Sequence, residues 1–560
     1  MAGIAGTEWT AEMEAEIRAI AEREMPEDMT AEDKKVVREA RKKMKEIEKA
    51  KKKERKAAAA AAAVSLAESA RVDDVEYLDS SKEPEQVYGD YKLIQSRCAK
   101  TGSGRKFTKV EALDASQIGK QLWIRARLHN VRAVAKNAFL ILRQKTSSAQ
   151  AVLSPSDTIP REMIKWALRN ITTESVIDVQ GQIVASEVKS CTQNAIEIAV
   201  QRLYVVSKAA QPLPFLPDDA ARPAQEEGVH VDRKTRLDAR IVDLRVQAHQ
   251  AIFRIQSGVC QLFREFLDGH GFTEIHSPKL IAGASEGGAN VFHLEYFKNP
   301  ACLAQSPQLY KQMAICGDME RVFEIGPVFR AENSDTHRHL CEFTGLDFEM
   351  AIDEHYYEVL RMIDGCFTAI FDGLSSRYAA EIEAVQRQYP FEPFKYRPSG
   401  ENLVIQFPEG IAMLRESGVE IGDFDDLDTE SERKLGELVK AKYDTDFFLM
   451  PRYPSAIRPF YTMPDPEDPR YSNSFDVFMR GEEILSGAQR VHDMKILEEK
   501  IKALGIEVET VRDYIDAFKF GAPPHGGCGV GLERVVMLFL SVGNIRETSM
   551  FPRDPNRLTP

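Results

Sequence analysis

Charged side chains that could bind a nucleotide are concentrated in one short stretch of the sequence, residues 326–350. They are Arg330, Glu332, His337, Arg338 and His339, and the aromatic residue Phe343 follows them. A guanidinium group presents a planar pair of donors that matches phosphate oxygens, and an aromatic ring offers a face on which a purine can stack. This combination is suited to ATP. A surface hairpin whose charges pair with one another would have a similar composition.

An antiparallel hairpin is the element that would position these groups. Val322 to Phe329 is an apolar run, and polarity alternates from Glu342 to Glu349, as expected for two strands on either side of a loop. The loop then lies at the mouth of the hairpin, where we expect its arginines and histidines to be partly buried. The alternation places Phe343, Gly345, Asp347 and Glu349 on one face of the return strand.

A second hairpin is predicted by two apolar runs, residues 472–479 and 482–490, which flank Arg480-Gly481. If these two residues form the turn, position 478 faces position 483, and Asp476 lies one diagonal step from Glu483 on the same face. Two carboxylates placed in this way could hold Mg²⁺ between phosphate groups, and Ser486 could add an oxygen ligand. The alternative is a pair of solvated carboxylates on a sheet surface.

Length and composition limit the class of protein. At 560 residues the chain is too long to fold around a single hydrophobic core, and its length predicts about three to four domains. No apolar run reaches the roughly 18 residues that a membrane span requires, and the N-terminus lacks the features of a signal peptide. The eight cysteines show neither a Cys-x-x-Cys pair nor zinc spacing, so we expect reduced thiols and a cytoplasmic location.

Charge is distributed unevenly along the chain. Residues 34–56 contain thirteen Lys or Arg and four Glu, a net charge of +9, so the rest of a chain with net charge −13 carries −22. The basic run continues into Ala57 to Ala63, and alanine and lysine both favour helix. We predict a long basic helix. On charge alone, a solvated helix without a ligand and an arm that binds nucleic acid are equally good interpretations.

Five short strand patterns, with a helical stretch (Arg161 to Asn170) after the third, indicate an OB-fold barrel. Phe139 opens the second strand and Arg132 lies in the loop before it, while Gln150 and Glu197 lie on neighbouring strands. These residue types can stack on and read the edges of unpaired RNA bases, although Phe139 alone is more often a core residue. The strands are predicted at Leu122 to His129, Ala138 to Arg143, Ala149 to Leu153, Ser175 to Val184 and Ala195 to Val206.

Three segments together resemble the signature motifs of class II aminoacyl-tRNA synthetases. They are Gly271 to Pro278, residues 326–350, and Gly529-Val-Gly-Leu-Glu-Arg534, in the order and spacing that the family uses. From about residue 86 to the C-terminus the chain is similar to the eukaryotic cytosolic aspartyl enzymes of subclass IIb. The resemblance implies an α+β fold and favours a tRNA-binding role for the basic arm. The expected division is an N-terminal extension with a lysine-rich helix (1–85), a linker (86–110), an OB-fold anticodon-binding domain (111–208), a hinge (209–243) and a catalytic domain with an antiparallel sheet flanked by helices (244–560).

The resemblance also implies an activity, aspartate–tRNA ligation, with L-aspartate, ATP and tRNA(Asp) as substrates and Mg²⁺ as cofactor. Arg330 and Arg534 would be the catalytic residues. ATP would be bound by Arg330, Glu332, Arg338, His339, Leu340, Phe343, Glu483, Gly531, Leu532, Glu533 and Arg534. The metal would be held by Asp476, Glu483 and Ser486, and the anticodon by Arg132, Phe139, Gln150 and Glu197.

Buried positive charges in the predicted site indicate which amino acid it binds. A side-chain carboxylate requires buried positive groups, for which Arg490 and Lys311 are the candidates. A lysyl enzyme would need an acidic pocket, and an asparaginyl enzyme is not expected to keep Gln308-x-x-Lys311. The resemblance implies that aspartate is bound by Ser285, Glu286, Gln308, Lys311, Arg330, Asp347, Ser486 and Arg490, with Ser285 and Glu286 on a mobile loop.

Other expectations follow from the resemblance. Pro278 would lie at the two-fold interface of a homodimer, and membership in a larger synthetase complex is open. Cys528 stands where close relatives carry glycine, which raises two interpretations, a reactive thiol beside the ATP site and a buried inert one. The alternatives to an aspartyl enzyme are an asparaginyl or non-discriminating relative and a catalytically silent RNA-binding paralogue.

Overall fold

The computed structural model describes residues 11–22, 29–69, 78, 84–94, 105–282, 291–506 and 508–560. The lysine-rich segment forms one long helix, as predicted. It begins after Thr30, whose hydroxyl accepts a hydrogen bond from the Asp33 N–H at 3.2 Å. Most of its basic residues are exposed, whereas Val37 and Ile47 are buried, and the first helix packs against it. The two helices are α1 (Ala11–Ala21) and α2 (Ala31–Ser69). No helix in the ranges given above is long and apolar enough to span a lipid bilayer.

A closed five-stranded barrel follows, with a helix after its third strand, which confirms the predicted OB-fold order. Its ring of pairings is β2-β3-β4-β6-β5 and back to β2, and only β4 and β6 pair in parallel. β1 adds a sixth strand beside β6, so the predicted linker contributes to this sheet. The elements are β1 (Tyr88–Asp90), β2 (Gln121–Val134), β3 (Asn137–Gln144), β4 (Ser147–Leu153), α3 (Arg161–Asn170), β5 (Val176–Ala185) and β6 (Ile196–Ser207).

The first barrel strand is longer than predicted. β2 continues past His129 to Val134 and turns through Ala135 and Lys136 into β3, so Arg132 lies on a strand opposite Phe139 and not in a loop. Our prediction of the loop was wrong because polar residues at a barrel rim do not alternate with apolar ones, although the backbone pairing continues there. The connector after the barrel contains three short helices, α4 (Pro217–Ala220), α5 (Arg233–Asp238) and α6 (Arg240–Asp243).

The C-terminal half is built on an eight-stranded sheet with the order β13-β14-β15-β16-β17-β12-β11-β7, antiparallel except at its two edge pairs. A separate small sheet has the order β8-β10-β9. The strands are β7 (Thr273–Glu274), β8 (Leu280–Ile281), β9 (His293–Tyr296), β10 (Asn299–Leu303), β11 (Arg321–Phe329), β12 (Glu342–Ala351), β13 (Leu403–Val404), β14 (Phe447–Pro451), β15 (Ser474–Met479), β16 (Glu482–Gln489) and β17 (His525–Gly531).

Helices cover one face of the large sheet. The apolar stripe of α7, which includes Ile255 and Val259, packs in the same buried cluster as Leu346 and Phe348 of β12 and Val535 of α15. The opposite face of β12 is left for polar groups. The helices are α7 (Gln247–Gly269), α8 (Gln308–Cys316), α9 (Tyr357–Arg377), α10 (Ala379–Gln388), α11 (Phe407–Glu416), α12 (Thr429–Tyr443), α13 (Met494–Ala503), α14 (Arg512–Ala517) and α15 (Leu532–Phe539).

Candidate active site

A cavity of about 320 Å³ lies over the polar face of the eight-stranded sheet. Both predicted hairpins form and contribute to it: β11 and β12 enclose the loop 330–341, and β15 and β16 turn at Arg480 and Gly481, where both residues have positive φ. Residues predicted from the sequence to bind substrates line this one cavity. They are Gln308, Arg330, Glu332, Arg338, His339, Leu340, Phe343, Asp347, Glu483, Ser486, Arg490, Gly531, Glu533 and Arg534.

At one end of the cavity two buried cations share one buried carboxylate. Arg490 donates from Nε to Glu349 Oε1 at 2.8 Å and from Nη2 to Glu349 Oε2 at 3.2 Å. Lys311 Nζ, behind the lining residue Asp347, lies 3.2 Å from Asp347 Oδ1 and 3.4 Å from Glu349 Oε2. Burial would raise the pKa of Glu349, but the charges of Arg490 and Lys311 outweigh burial and lower it. The predicted pair of cations therefore sits in a compact, ionised cluster.

Glycines of β17 allow this cluster to form. A Cβ on Gly527 would lie 2.1 Å from the Phe348 carbonyl oxygen and 2.4 Å from Glu349 Oε2. A Cβ on Gly529 would lie 2.8 Å from Asp347 Oδ1. Both glycines face the cavity side of the sheet, opposite Glu349 and Asp347 in the β12–β17 register. The glycine run thus makes room for the two carboxylates beside the backbone.

The other end of the cavity carries the groups predicted to bind ATP. The guanidinium of Arg330 lies 5.5 Å from the centre of the Phe343 ring. Arg534, at the start of α15, donates to the Glu483 carbonyl oxygen at 2.9 Å and to that of Arg338 at 3.2 Å. Neighbouring Glu533 accepts from the Thr344 N–H at 3.0 Å, and burial raises its pKa to about 7.

The loop 330–341 is fastened to α12 by two adjacent residues of that helix. Arg338 pairs with Glu432 at 2.5 Å, and burial raises the pKa of Glu432 to about 7. The next residue of the helix, Arg433, and the preceding residue of the loop, His337, both contact Glu482, at 2.7 and 2.9 Å.

His339, on the same loop, is a neutral group in this site. Burial and the nearby charges of Arg534 and Arg338 lower its pKa to about 4. Thr336 Oγ1 lies 2.6 Å from His339 Nδ1. At neutral pH, His339 can therefore contribute a hydrogen bond to a phosphate, but not a positive charge.

The two carboxylates predicted to hold a metal lie close together, and Phe478 pairs with Glu483 as predicted from the turn. A bulge between Val477 and Phe478 pairs Asp476 with Ser486 instead of Leu485. Arg458 donates to Ser486 Oγ at 2.8 Å and lies 2.8 Å from Asp476 Oδ2. Burial raises the pKa of Asp476, and the negative charge of Glu483 adds to that effect.

Of the remaining predicted ligands of ATP and aspartate, two fall outside the described residues and one packs in the core. Ser285 and Glu286 fall outside the described residues. Leu532, the first residue of α15, is buried in the core cluster that also contains residues of α7 and β12. Cys528 also faces that core: it is fully buried, and burial raises the pKa of its thiol to about 12, which supports the inert interpretation.

On the barrel, the four predicted anticodon residues lie on adjacent strands. Arg132 is opposite Phe139 in the β2–β3 pairing, with its guanidinium 5.4 Å from the ring centre. Gln150 is opposite Glu197 and donates to its carboxylate at 2.9 Å. Phe139 is half-buried and Arg132 is exposed. The surface therefore combines an aromatic ring, a cation and an amide–carboxylate pair.

A family model for class II tRNA synthetases (D, K and N), the aspartate, lysine and asparagine group, matches residues 232–555. The chain belongs to this family. It is similar to the cytoplasmic aspartate–tRNA ligase of Homo sapiens, with 53% identity over 492 residues, 87% of this chain and 97% of the human protein. The cytoplasmic aspartate–tRNA ligase 1 of Arabidopsis thaliana is 50% identical over 484 residues, 84% of this chain and 90% of the plant protein.

Solved structures of class II synthetases have the same fold. The aspartyl-tRNA synthetase from Entamoeba histolytica superposes with a TM-score of 0.77 at 46% identity, covering 86% of this chain and 98% of that one. The asparaginyl-tRNA synthetase from Pyrococcus horikoshii complexed with asparaginyl-adenylate gives a TM-score of 0.72 at 29% identity. The superposition covers 81% of this chain and 100% of that one.

Sequence reasoning missed three charged residues of this synthetase site. They are Glu349, Arg458 and Glu432. Glu349 was on the predicted cavity face, and a carboxylate on the same face as Asp347 was a usable signal. Arg458 and Glu432 come from segments far from either hairpin, and no local pattern marked them.

Proposed function

We propose that the chain is an aspartate–tRNA ligase of the cytoplasm, which activates L-aspartate with ATP and transfers it to tRNA(Asp). The observation that carries this proposal is the buried pair Arg490 and Lys311 beside the cavity, 3% and 2% exposed. Cations buried to this degree are suited to a side-chain carboxylate and not to an amide or an ammonium group. The high identity to ligases named for aspartate supports the same conclusion.

In the first step, an oxygen of the aspartate α-carboxylate attacks the α-phosphorus of ATP, and pyrophosphate leaves. The product is aspartyl-adenylate. The protein supplies no nucleophile for this step, so placement and charge stabilisation dominate catalysis. Arg330, beside Phe343, would bind the α-phosphate and the α-carboxylate, and Phe343 would stack on adenine. Arg534, held by hydrogen bonds to two carbonyl oxygens, would lie on the face of the adenine opposite Phe343.

In the second step, a hydroxyl of the 3′-terminal ribose of tRNA attacks the carbonyl carbon of the adenylate. The ester bond forms as the bond to the phosphate breaks; AMP leaves with the electron pair, and the proton of the hydroxyl is released. Lys311, Asp347 and Gln308 would keep the aminoacyl group in place throughout, Gln308 through the α-amino group. Ser285 and Glu286 belong to this proposal as part of a loop over the substrate.

Mg²⁺ is the proposed metal, and the side chains present fit it. Mg²⁺ commonly uses one or two carboxylates, together with phosphate oxygens and water. Asp476 Oδ1 is buried without a hydrogen-bond partner, and Glu483 and Ser486 lie beside it. Asp476 and Glu483 would hold the ion, with Ser486 adding an oxygen. When bound, Mg²⁺ would neutralise charge on the phosphates of ATP.

For tRNA, we propose two contact regions and the domain division given by the sequence. The surface formed by Arg132, Phe139, Gln150 and Glu197 would stack on and read anticodon bases. The exposed basic face of α2 would add sequence-independent affinity for phosphates.

A homodimer is also part of the proposal. Pro278 is exposed, and the small sheet beside it exposes apolar side chains, of which Phe297 is 82% exposed and Leu280 50%. Burial of these side chains against a second copy of the chain would remove apolar surface from water. Membership in a larger synthetase complex stays a prediction.

Pyrophosphate exchange dependent on the amino acid tests the activation step. We expect incorporation of labelled pyrophosphate into ATP with aspartate, and none with asparagine or lysine. Arg490→Ala should abolish exchange with aspartate while tRNA binding persists, because Arg490 lies in the amino acid end of the cavity. Exchange with asparagine would instead favour an asparaginyl or non-discriminating enzyme, and no exchange with any amino acid would favour a silent paralogue.

A further inference from the structure

A second buried charge cluster lies outside the active site, where the barrel meets the segment that leads into α7. Its centre is Glu174, which is fully buried in the turn between α3 and β5. Arg143 of β3 places Nη2 2.6 Å from Glu174 Oε1, and Arg245, just before α7, places Nη1 2.9 Å from Oε2. One carboxylate thus joins a cation of the barrel to a cation of the catalytic half.

Backbone contacts reinforce the same junction. Arg143 Nη1 donates to the Arg245 carbonyl oxygen at 3.0 Å. Gln247 Nε2, at the start of α7, donates to the Thr146 carbonyl oxygen in the β3–β4 turn at 3.0 Å. Each half therefore donates hydrogen bonds to the other, which fixes their relative orientation as well as their separation.

The connector between the two halves is fastened at this point too. His129 Nε2 lies 2.9 Å from Asp218 Oδ1 of α4, and its Nδ1 lies 3.7 Å from Glu174 Oε1. Thr172 Oγ1 donates to the Ala209 carbonyl oxygen at 2.7 Å. The barrel, the connector and the catalytic half therefore all have contacts at the turn between α3 and β5.

The backbone of that turn is held in an unusual conformation. Glu174 has φ +72°, in the left-handed region that residues with a Cβ rarely adopt. Its N–H donates to the Leu128 carbonyl oxygen at 2.7 Å, and its own carbonyl oxygen accepts from Arg127 Nη1 at 2.9 Å. A strained conformation persists where several contacts determine it together. The turn presents the Glu174 carboxylate towards Arg245.

We propose that Glu174 and Arg245 form an interdomain tie that sets the orientation of the barrel for the transfer step. The inference rests on the proposed function. A tRNA held by its anticodon on the barrel must bring its 3′ end to the cavity, so a small rotation of the barrel misplaces the attacking hydroxyl. Activation of aspartate requires no barrel contact. The tie is a positioning device for transfer and not part of the catalytic machinery.

Arg245→Gln tests the tie, because it removes the cross-domain ion pair and leaves the Arg143–Glu174 pair of the barrel in place. We expect aspartate-dependent pyrophosphate exchange at the wild-type rate. Transfer from preformed adenylate to full-length tRNA(Asp) should slow by about tenfold or more, because misplacement of reacting groups by about 1 Å can slow a reaction by about a hundredfold. An acceptor-stem minihelix, which has no anticodon, should be charged equally by both proteins. Arg245→Lys keeps one charged donor and should restore most of the transfer rate.

Arg125→Gln is the matched control, because it breaks an ion pair with buried Asp178 (2.7 Å) that lies wholly within the barrel. We expect its transfer rate to match wild type. The tie is overturned if Arg245→Gln transfers normally, if it slows exchange or minihelix charging to the same extent, or if Arg125→Gln slows transfer equally. Absence of aspartate-dependent exchange in the wild-type protein would overturn the proposed function instead.

Discussion

At the scale of residues, a buried carboxylate balances the two cations that we propose bind the amino acid. Glu349 is fully buried and contacts both Arg490 and Lys311. Removal of one partner of a buried ion pair leaves the other charge uncompensated, which costs about 3–5 kcal/mol. Under the proposed function, the side chain of the substrate aspartate would bring a negative charge to the same cations. Glu349 and the substrate would then both act as counter-charges for Arg490 and Lys311.

Glu349→Gln should lower the thermal midpoint of the protein, because Arg490 and Lys311 lose their shared counter-charge. Saturating aspartate should raise that midpoint by more in the variant than in wild type, since the substrate carboxylate replaces the missing charge. Differential scanning fluorimetry with and without aspartate measures both effects. An equal or smaller shift in the variant would mean that the substrate carboxylate does not reach these cations.

At the scale of elements, the glycine run of β17 sets how closely β12 can approach. The side chains of Asp347 and Glu349 occupy the space that Cβ atoms on Gly529 and Gly527 would fill. The absence of side chains at these two positions of β17 therefore leaves room for the two buried carboxylates of β12.

Gly527→Ala should destabilise the protein by about 1–3 kcal/mol or more, because the contact at 2.1 Å is with backbone and cannot relax by a rotamer change. It should also reduce aspartate-dependent pyrophosphate exchange by displacing Glu349. Gly269→Ala is the control, since a Cβ at the end of α7 meets nothing within 4 Å. Urea unfolding that gave equal midpoints for the two variants would contradict this account of the glycines.

The sequence predicted the elements better than the contacts between them. Both hairpins, the order of the barrel strands and the basic helix follow from local signals: alternation, the Arg480-Gly481 turn, and runs of helix-forming residues. The pairing of Glu349 with Arg490 joins positions 141 residues apart, and that of Arg338 with Glu432 joins positions 94 apart. The bulge at Val477 shifted the partner of Asp476 by one residue, which turn geometry alone does not reveal.

At the scale of the whole molecule, charged junctions hold the barrel to the catalytic half across the neutral pH range. The nearby carboxylates of Asp218 and Glu174 raise the pKa of His129 from 6.5 to about 9. A raised pKa means that this stabilisation is complete below pH 6.5 and is lost as the pH rises through 9. The junction therefore weakens in alkaline solution.

His129→Gln should remove that part of the pH dependence. Thermal midpoints of wild type should fall between pH 6.5 and 9 by more than those of His129→Gln, because only wild type loses a proton at this junction over that interval. Parallel pH profiles for the two proteins would show that folding does not raise the pKa of His129.

The N-terminal arm is the other feature of the whole molecule with a direct test. Removal of residues 1–70 should weaken tRNA binding and make it less dependent on salt. The physical reason is that each phosphate neutralised by the arm contributes about 0.9 to the slope of log K against log salt for a duplex. Pyrophosphate exchange should not change. Equal affinity and an equal salt slope in the truncated and full-length proteins would exclude the arm from tRNA binding.

The most direct test of the central claim is attachment of an amino acid to tRNA by the full-length protein. Aspartate, asparagine and lysine are offered separately with ATP, Mg²⁺ and tRNA(Asp), and acid-precipitable labelled aminoacyl-tRNA is measured. Buried Arg490 and Lys311 predict product with aspartate alone. Product with asparagine or lysine, or with none of the three, would contradict the assignment of an aspartate–tRNA ligase.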